Sequence, residues 1–357
     1  GIFVGTPIYA IPFTLELFKR KQIQVLVVPF PFSILNFALP GNGLPESPKI
    51  PDSVNFIPQL SQDLIYDKNV RSSYTQQANF AVDYTYKKAT LSLSYAFVRG
   101  LKFLSNRNIN PVVRPISGNP VASSISGRVD TTQGDLFEFE SAFDSYYNAF
   151  TISYKQKVTG RFNIFTHYTF AKAIDDFVDF RIDVNQINDS LRPALERSLS
   201  VQDLRSRFVL SGAMDIGYRK SKLLKDFRLS TIINAESGRP YNITAGADLN
   251  LSGDFPPSDR PLGLGRNTGV SPSFFTIDMR LERKFTIKEH IQVQGFLEVF
   301  NLFNQVNISE IDGIFPADAN GNFTLPQKDG SHFVAPPERF RSAFAPRQLQ
   351  LGFRVSF

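Results

Sequence analysis

The chain closes on RQLQLGFRVSF, residues 347–357, and steps of two along it separate two chemistries. Leu349, Leu351, Phe353, Val355 and Phe357 fall on one side, and Gln348, Gln350, Arg354 and Ser356 on the other. Successive side chains of an extended strand point to opposite faces, so the segment reads as a ribbon with one apolar and one polar face. A soluble antiparallel sheet with one face on a core gives the same alternation. The last residue discriminates further. Chain ends are usually frayed and polar unless something ties them down, yet this strand runs apolar to Phe357.

The alternation recurs upstream. Ala78, Phe80, Val82, Tyr84 and Tyr86 alternate with Gln77, Asn79, Asp83 and Thr85, and Leu91, Leu93, Tyr95 and Phe97 with Ser92, Ser94 and Ala96. Phe150, Ile152 and Tyr154 oppose Thr151, Ser153 and Lys155; Phe162, Ile164, Tyr168 and Phe170 oppose Arg161, Asn163, His167 and Thr169. A further hairpin has Phe208, Leu210, Met214 and Ile216 on one apolar side and Phe227, Leu229 and Ile233 on the next. Phe275, Ile277, Met279 and Leu281 then pair with Ile291, Val293, Leu297 and Val299, facing away from Asp278, Arg280, Glu282, Gln292, Gln294 and Glu298. Nine strands are expected from Tyr74 onward. Before Tyr74 the reading is sparse: two strands around Gly1 to Gly5 and Ile23 to Phe30, then a long external loop.

The connections between strands alternate in length. Lys87 to Thr90, Lys157 to Gly160, Arg219 to Lys225 and Lys284 to Glu289 are short. The intervening links, near 101–146, 172–203, 237–273 and 304–346, are rich in Gly, Pro, Asn, Asp and Ser. They run to about thirty or forty residues, whereas loops beyond about fifteen are uncommon in compact soluble domains. Outer-membrane barrels have short periplasmic turns and long external loops, so this sidedness favours a transmembrane antiparallel β-barrel over a soluble sandwich. In hydrocarbon every backbone N–H and C=O must be paired within the protein, which strands achieve only when the sheet closes. Phe357 then lies at the periplasmic interface, where aromatic girdles sit.

Composition is compatible with that reading. The 357 residues carry 39 basic and 33 acidic side chains, a net charge of +6, with no basic run beyond Lys19 to Lys21. No helix-turn-helix, zinc or ribonucleoprotein pattern accompanies the charge, so nucleic acid is not an expected partner. Cysteine is absent, which removes disulfides, thiolate metal sites and cysteine nucleophiles. Phenylalanine is abundant, 35 residues beside 12 Tyr and no Trp. The opening GIFVGTPIYAIPF has no basic, apolar and small-residue succession of a secretory signal. The longest apolar stretch, Val25 to Phe37, is interrupted by Pro29, Pro31, Ser33 and Asn36 and is shorter than the roughly twenty residues a spanning helix needs.

Seven segments, in this order and spacing, carry a resemblance. They are YTQQANFAVDYTYKKATLSLSYAFVRGLKFLSNRNIN, SYYNAFTISYKQKVTGRFNIFTHYTFAKAIDD, DLRSRFVLSGAMDIGY, SGRPYNIT, GRNTGVSPSFFTIDMRLERKF, FLEVFNLFNQVNIS and APRQLQLGFRVSF. Together they resemble successive barrel segments of TonB-dependent receptors of the large Oar-like kind, found in Acidobacteria and their relatives. The resemblance implies a barrel of about twenty-two strands, filled by an N-terminal plug and preceded by a small β-sandwich domain. It implies that residues 1–357 are the C-terminal portion of the barrel domain, with about ten or eleven strands, and that plug and sandwich are absent from this chain. It further implies four kinds of partner: outer-membrane lipid, the remaining strands and plug, a TonB-type energy-coupling protein, and the barrel-assembly machinery. In the last role Leu351, Phe353, Val355 and Phe357 occupy the places of the assembly signal.

Few motifs suggest chemistry. Asp175, Asp176, Asp179 and Asp183 bring carboxylates together in a long link, the ligands calcium takes, but without EF-hand spacing; a solvated acidic loop is the plainer reading. The glycines of GLGRNTG, Gly263 to Gly269, lack the strand before and helix after of a nucleotide site and read as a loop returning to the sheet. His167, His290 and His332 lie far apart, with no nucleophile elbow or triad around them, and no cofactor motif is present. Asp278, Arg280, Glu282, Gln292, Gln294, Glu298 and Arg354 share the polar faces of the last strands, as lumen ion pairs that bridge strands or hold a plug, or as a ligand path. Tyr84, Tyr86, Tyr95, Phe97, Tyr168 and Phe170 read as girdle and lipid-facing residues.

These observations point to transport, not enzymology: energy-coupled passage of a large substrate such as an oligosaccharide, a peptide or a chelate across the outer membrane of a Gram-negative bacterium. A passive porin or structural surface protein is the first alternative, and a secreted β-sandwich adhesin the second.

Overall fold

The computed structural model describes residues 2–4, 63–114, 126–159, 161–176, 187–216, 226–250, 259–261, 263–287 and 291–357. The expected strand at Ile23 to Phe30 lies outside them. One large sheet dominates. Its path runs β1 (Ile2–Val4), β3 (Tyr74–Tyr86), β4 (Ala89–Asn108), β5 (Leu136–Thr159), β6 (Phe162–Asp175), β8 (Ser206–Ile216), β9 (Phe227–Glu236), β12 (Phe274–Ile287), β13 (Ile291–Phe300) and β18 (Gln348–Ser356). Every neighbouring pair on this path is antiparallel. Two short strands join from the side: β2 (Asp63–Tyr66), parallel to β5, and β7 (Ser198–Leu199), beside β6.

The registers carry the alternation from strand to strand. On the outer face Leu93, Ile152, Tyr168, Phe208, Ala235 and Phe275 form one unbroken row, and Phe162, Met214, Leu229, Leu281, Leu297 and Leu351 another. On the inner face Asp83, Ser92, Ser153, His167, Val209, Asn234 and Thr276 are matched in the same way. A one-residue slip would exchange the two faces, so the pattern pins each register. The apolar face lies open: Phe80, Tyr84, Phe150, Phe170, Leu351 and Phe353 are among many large exposed apolar side chains. A continuous apolar surface of that size has no stable place in water.

All described short connections lie at one end of the sheet. Lys87 and Lys88 form a two-residue turn, with Lys87 in the left-handed region at φ 53°, and β5 and β6 are also closely joined. The last paired residues of β18 sit beside the β12–β13 connection, so Phe357 is at that same end.

The long links depart from expectation. The link placed near 101–146 is only 109–135, because β4 and β5 continue outward as a paired ribbon. The alternation fails at Gly100 because the register shifts there, with Lys102 at φ 61°. Gly100 is required: a Cβ on it would come within 2.4 Å of the Phe103 ring. Further strands also appear inside the links. β10 (Pro240–Tyr241), β11 (Gly269–Val270), β15 (Lys328–Asp329) and β16 (His332–Val334) form a small sheet, and β14 (Ile308–Ile311) pairs with β17 (Phe340–Ala343). Ile243, Phe315 and Phe333 make a small buried core here, with Tyr241, Leu264 and Leu325 against it. This buried apolar cluster sits in the connections at the long-loop end, while Leu101, Phe139, Phe143, Ala149 and Ala171 are buried within β4, β5 and β6.

Candidate functional site

The inner face of the last strands is built around Arg280. Arg280 lies opposite Glu298 across β12 and β13, and opposite Ser230 across β12 and β9. Its Nη1 donates to Glu298 Oε1 at 2.9 Å and its Nε to Glu282 Oε2 at 3.0 Å, while the guanidinium stands over the Phe296 ring at 4.2 Å. Phe296 occupies an inward position because it pairs with Glu282 on one side and Gly352 on the other. A Cβ at Gly352 would approach that ring to 2.3 Å, so the glycine makes room for it. Asp278 accepts the Asn301 N–H at 2.8 Å and so anchors the start of the external connection.

The remaining expected residues extend the same strip. Gln294 lies between Lys284 and Arg354, and Gln292 between Thr286 and Ser356. Beyond Glu282 comes Arg228, which pairs in register with Asp215 and forms a 3.8 Å ion pair with it. Asp278, Arg280, Glu282, Gln292, Gln294, Glu298 and Arg354 thus share one face of the sheet, and Phe296, Arg228 and Asp215 join them. Phe296 was missed because it is an aromatic on a face read as polar. The strip offers hydrogen-bond donors and acceptors to whatever occupies the inner side, with Glu282 and Glu298 already paired to Arg280.

At the long-loop end the connections are knitted by buried charge. Glu196, in the 3-10 turn Pro193–Glu196, is fully buried and takes Arg260 as a bidentate partner at 2.6 and 2.8 Å. Arg266, also fully buried, donates to the Glu196 carbonyl at 2.7 Å and forms an ion pair with Asp175 at the end of β6. Asn267 donates to the Leu199 carbonyl at 2.7 Å. GLGRNTG is thus a loop returning to the sheet, as expected, and its Arg266 and Asn267 are the anchors. Nothing in the spacing signalled this, because Leu199, Glu196 and Asp175 lie 68 to 91 residues away.

Ionisation here follows burial. Desolvation holds the Asp259 carboxyl above the usual carboxylate range, opposed by the Asn250 and Leu249 N–H groups that donate to it. Desolvation also raises Asp176, against the pull of Arg197 at 3.6 Å. Tyr241, beside the small core, is pushed up to about 12 by burial. Arg99 and Arg197 both stand over Tyr146, at 4.9 and 4.7 Å.

For the four clustered aspartates, Asp175 and Asp176 take arginine partners, and Asp179 and Asp183 lie outside the described residues. Among the described residues no group of three or more His, Asp or Glu side chains is placed to hold a metal ion. His167 lies in β6 on the inner face near Phe165, and His332 lies in β16 of the small sheet; His290 is outside the described residues. Leu351, Phe353 and Val355 lie on the outer row of β18, with Phe357 just past its end, and the four are 80%, 80%, 47% and 101% exposed.

A family model described as an outer membrane beta barrel domain matches residues 20–264. Comparison with curated proteins gives no match. Among solved structures, the ferric-catecholate import receptor Fiu from E. coli K12 is similar over 81% of this chain and 28% of its own, at 11% identity and a TM-score of 0.42. The FrpB iron transporter from Neisseria meningitidis is similar over 83% and 33%, at 11% identity and 0.44. The ferripyoverdine receptor of Pseudomonas aeruginosa is similar over 81% and 28%, at 10% identity and 0.44. The chain spans about a third of the length of these solved chains or less.

Proposed function

The chain belongs to the outer membrane beta barrel domain family, and from that premise we propose that it forms part of the wall of a TonB-dependent receptor of the Oar-like kind. Its place is the outer membrane of a Gram-negative bacterium. The apolar outer rows meet lipid, the long links face the exterior, and the short turns face the periplasm. In this reading the ordered external links meet a large substrate, an oligosaccharide, a peptide or a chelate, and energy from a TonB-type partner drives its passage. The strip of Asp278, Arg280, Glu282, Gln292, Gln294, Glu298 and Arg354 serves as the contact for a plug or as the ligand path. The remaining strands complete the barrel, and Leu351, Phe353, Val355 and Phe357 form the signal read by the assembly machinery.

The observation that carries this reading is the pairing of a charged, cross-linked inner strip with a folded external cap. A wall facing only bulk water needs no such cap over its mouth. The test is electrical. Protein purified from outer membranes and placed in planar bilayers in potassium chloride is expected to give no steady conductance, because a plug fills the lumen. Steady open conductance would support the passive porin instead.

A further inference from the structure

The outer face carries one cation in an otherwise apolar row. Registers place Ile216, Phe227, Arg283, Gly295 and Phe353 side by side across β8, β9, β12, β13 and β18. The Arg283 guanidinium lies 5.0 Å from the ring centre of Phe227 and 4.6 Å from that of Phe285, between two aromatic side chains. Phe285 is one same-face step nearer the β12–β13 connection, so the side chain leans toward the short-turn end. Long basic side chains lean this way, toward the interface, when their backbone sits within the apolar belt.

Gly295 lies directly opposite Arg283, and a Cβ built on it would meet no atom within 4 Å. The outer wall therefore has a shallow gap there, bounded along the strand by Val293 and Leu297 and across it by Phe353, itself 80% exposed. A cation at the headgroup side of an apolar gap matches the two ends of a lipid. Guanidinium presents a rigid fork of N–H donors that fits a phosphate, and aromatic contact on both sides fixes its plane.

We propose that Arg283 and the gap over Gly295 seat one glycerophospholipid of the periplasmic leaflet. Its phosphate lies on the guanidinium, and an acyl chain crosses Gly295 and runs along Leu297 and Leu281 toward the membrane centre. The inference goes beyond transport and requires only that the apolar face meets lipid.

The test uses protein purified from outer membranes in mixed micelles with phosphatidylglycerol, with bound lipid counted by mass spectrometry of the intact complex. Wild type is expected to hold one phosphatidylglycerol, and Arg283→Leu to hold it roughly tenfold more weakly. Gly295→Leu, which fills the gap and leaves the arginine in place, is expected to weaken it similarly and decides the matter should Arg283→Leu fail to fold. Arg283→Lys keeps the charge and is expected to retain part of the binding. Diacylglycerol, which lacks the phosphate, is not expected to be held. Undiminished phosphatidylglycerol in Gly295→Leu, equal retention of diacylglycerol, or displacement by inorganic phosphate alone would overturn the seat.

Discussion

Glu196 is fully buried, with Arg260 closing on both of its oxygens and the Asn188 N–H donating to one of them. Removing one partner of a buried ion pair strands the other and typically costs about 3–5 kcal/mol. Glu196→Gln is therefore expected to loosen the external links while the sheet stays formed. Limited proteolysis should cut near residues 187–205 faster, with the heat-modifiable band on gels unchanged; equal cutting rates would contradict the network. A pH effect belongs at Asp318. Backbone N–H groups of Asn322 and Asn320 hold its carboxyl below the usual range. A lowered value contributes stability that is present above the ordinary aspartate pKa, about 3.9, and is lost as pH falls through the folded value. A spin label at Ala319 should gain mobility only below the ordinary aspartate range, and Asp318→Asn should remove that dependence. The residue scale was the least legible in the sequence. Arg266 and Asp175 are far apart along the chain, and only the fold reveals that they pair.

Strands were the most legible elements, because a period of two survives inspection of one sequence. The nine expected from Tyr74 onward correspond to β3, β4, β5, β6, β8, β9, β12, β13 and β18. Legibility failed where the backbone departs from regular pleating, as at the Gly100 bulge, and in two-residue strands such as β10 and β11, too short to show a period. Arg283 was also passed over, because one charged residue does not disturb an alternation carried by its neighbours. The faces can be tested directly. Arginine on the lipid side near the midplane costs about 2–4 kcal/mol, and little on the lumen side. Ile277→Arg and Leu351→Arg are expected to reduce the folded, heat-modifiable fraction far more than Thr276→Arg and Gln350→Arg. Equal losses on both faces would refute the facial assignment. Phe357 tests the edge. An unpaired strand edge is a template for a partner, so an assembly signal on β18 acts before closure. Deleting Phe357 is expected to slow assembly in cells while leaving refolding into detergent micelles intact. Lowered stability in both settings would reduce Phe357 to packing alone.

At the scale of the whole molecule, the alternation of short and long connections disclosed the sidedness, since it depends only on strand positions. What it did not disclose is that the long links fold. Small sheets, an apolar core of Ile243, Phe315 and Phe333, and the Glu196, Arg260 and Arg266 network build an ordered cap from distant segments. Function in the membrane requires above all that these links face outward from the cell and the short turns inward to the periplasm. The chain has no cysteine, so a single introduced thiol reports its own position. Asn320→Cys in the cap and Lys88→Cys in the β3–β4 turn, both exposed, can each be treated with a membrane-impermeant thiol reagent on intact cells. Asn320→Cys is expected to be labelled at once and Lys88→Cys only after the outer membrane is permeabilised. Labelling of Lys88→Cys on intact cells with Asn320→Cys protected would contradict that orientation.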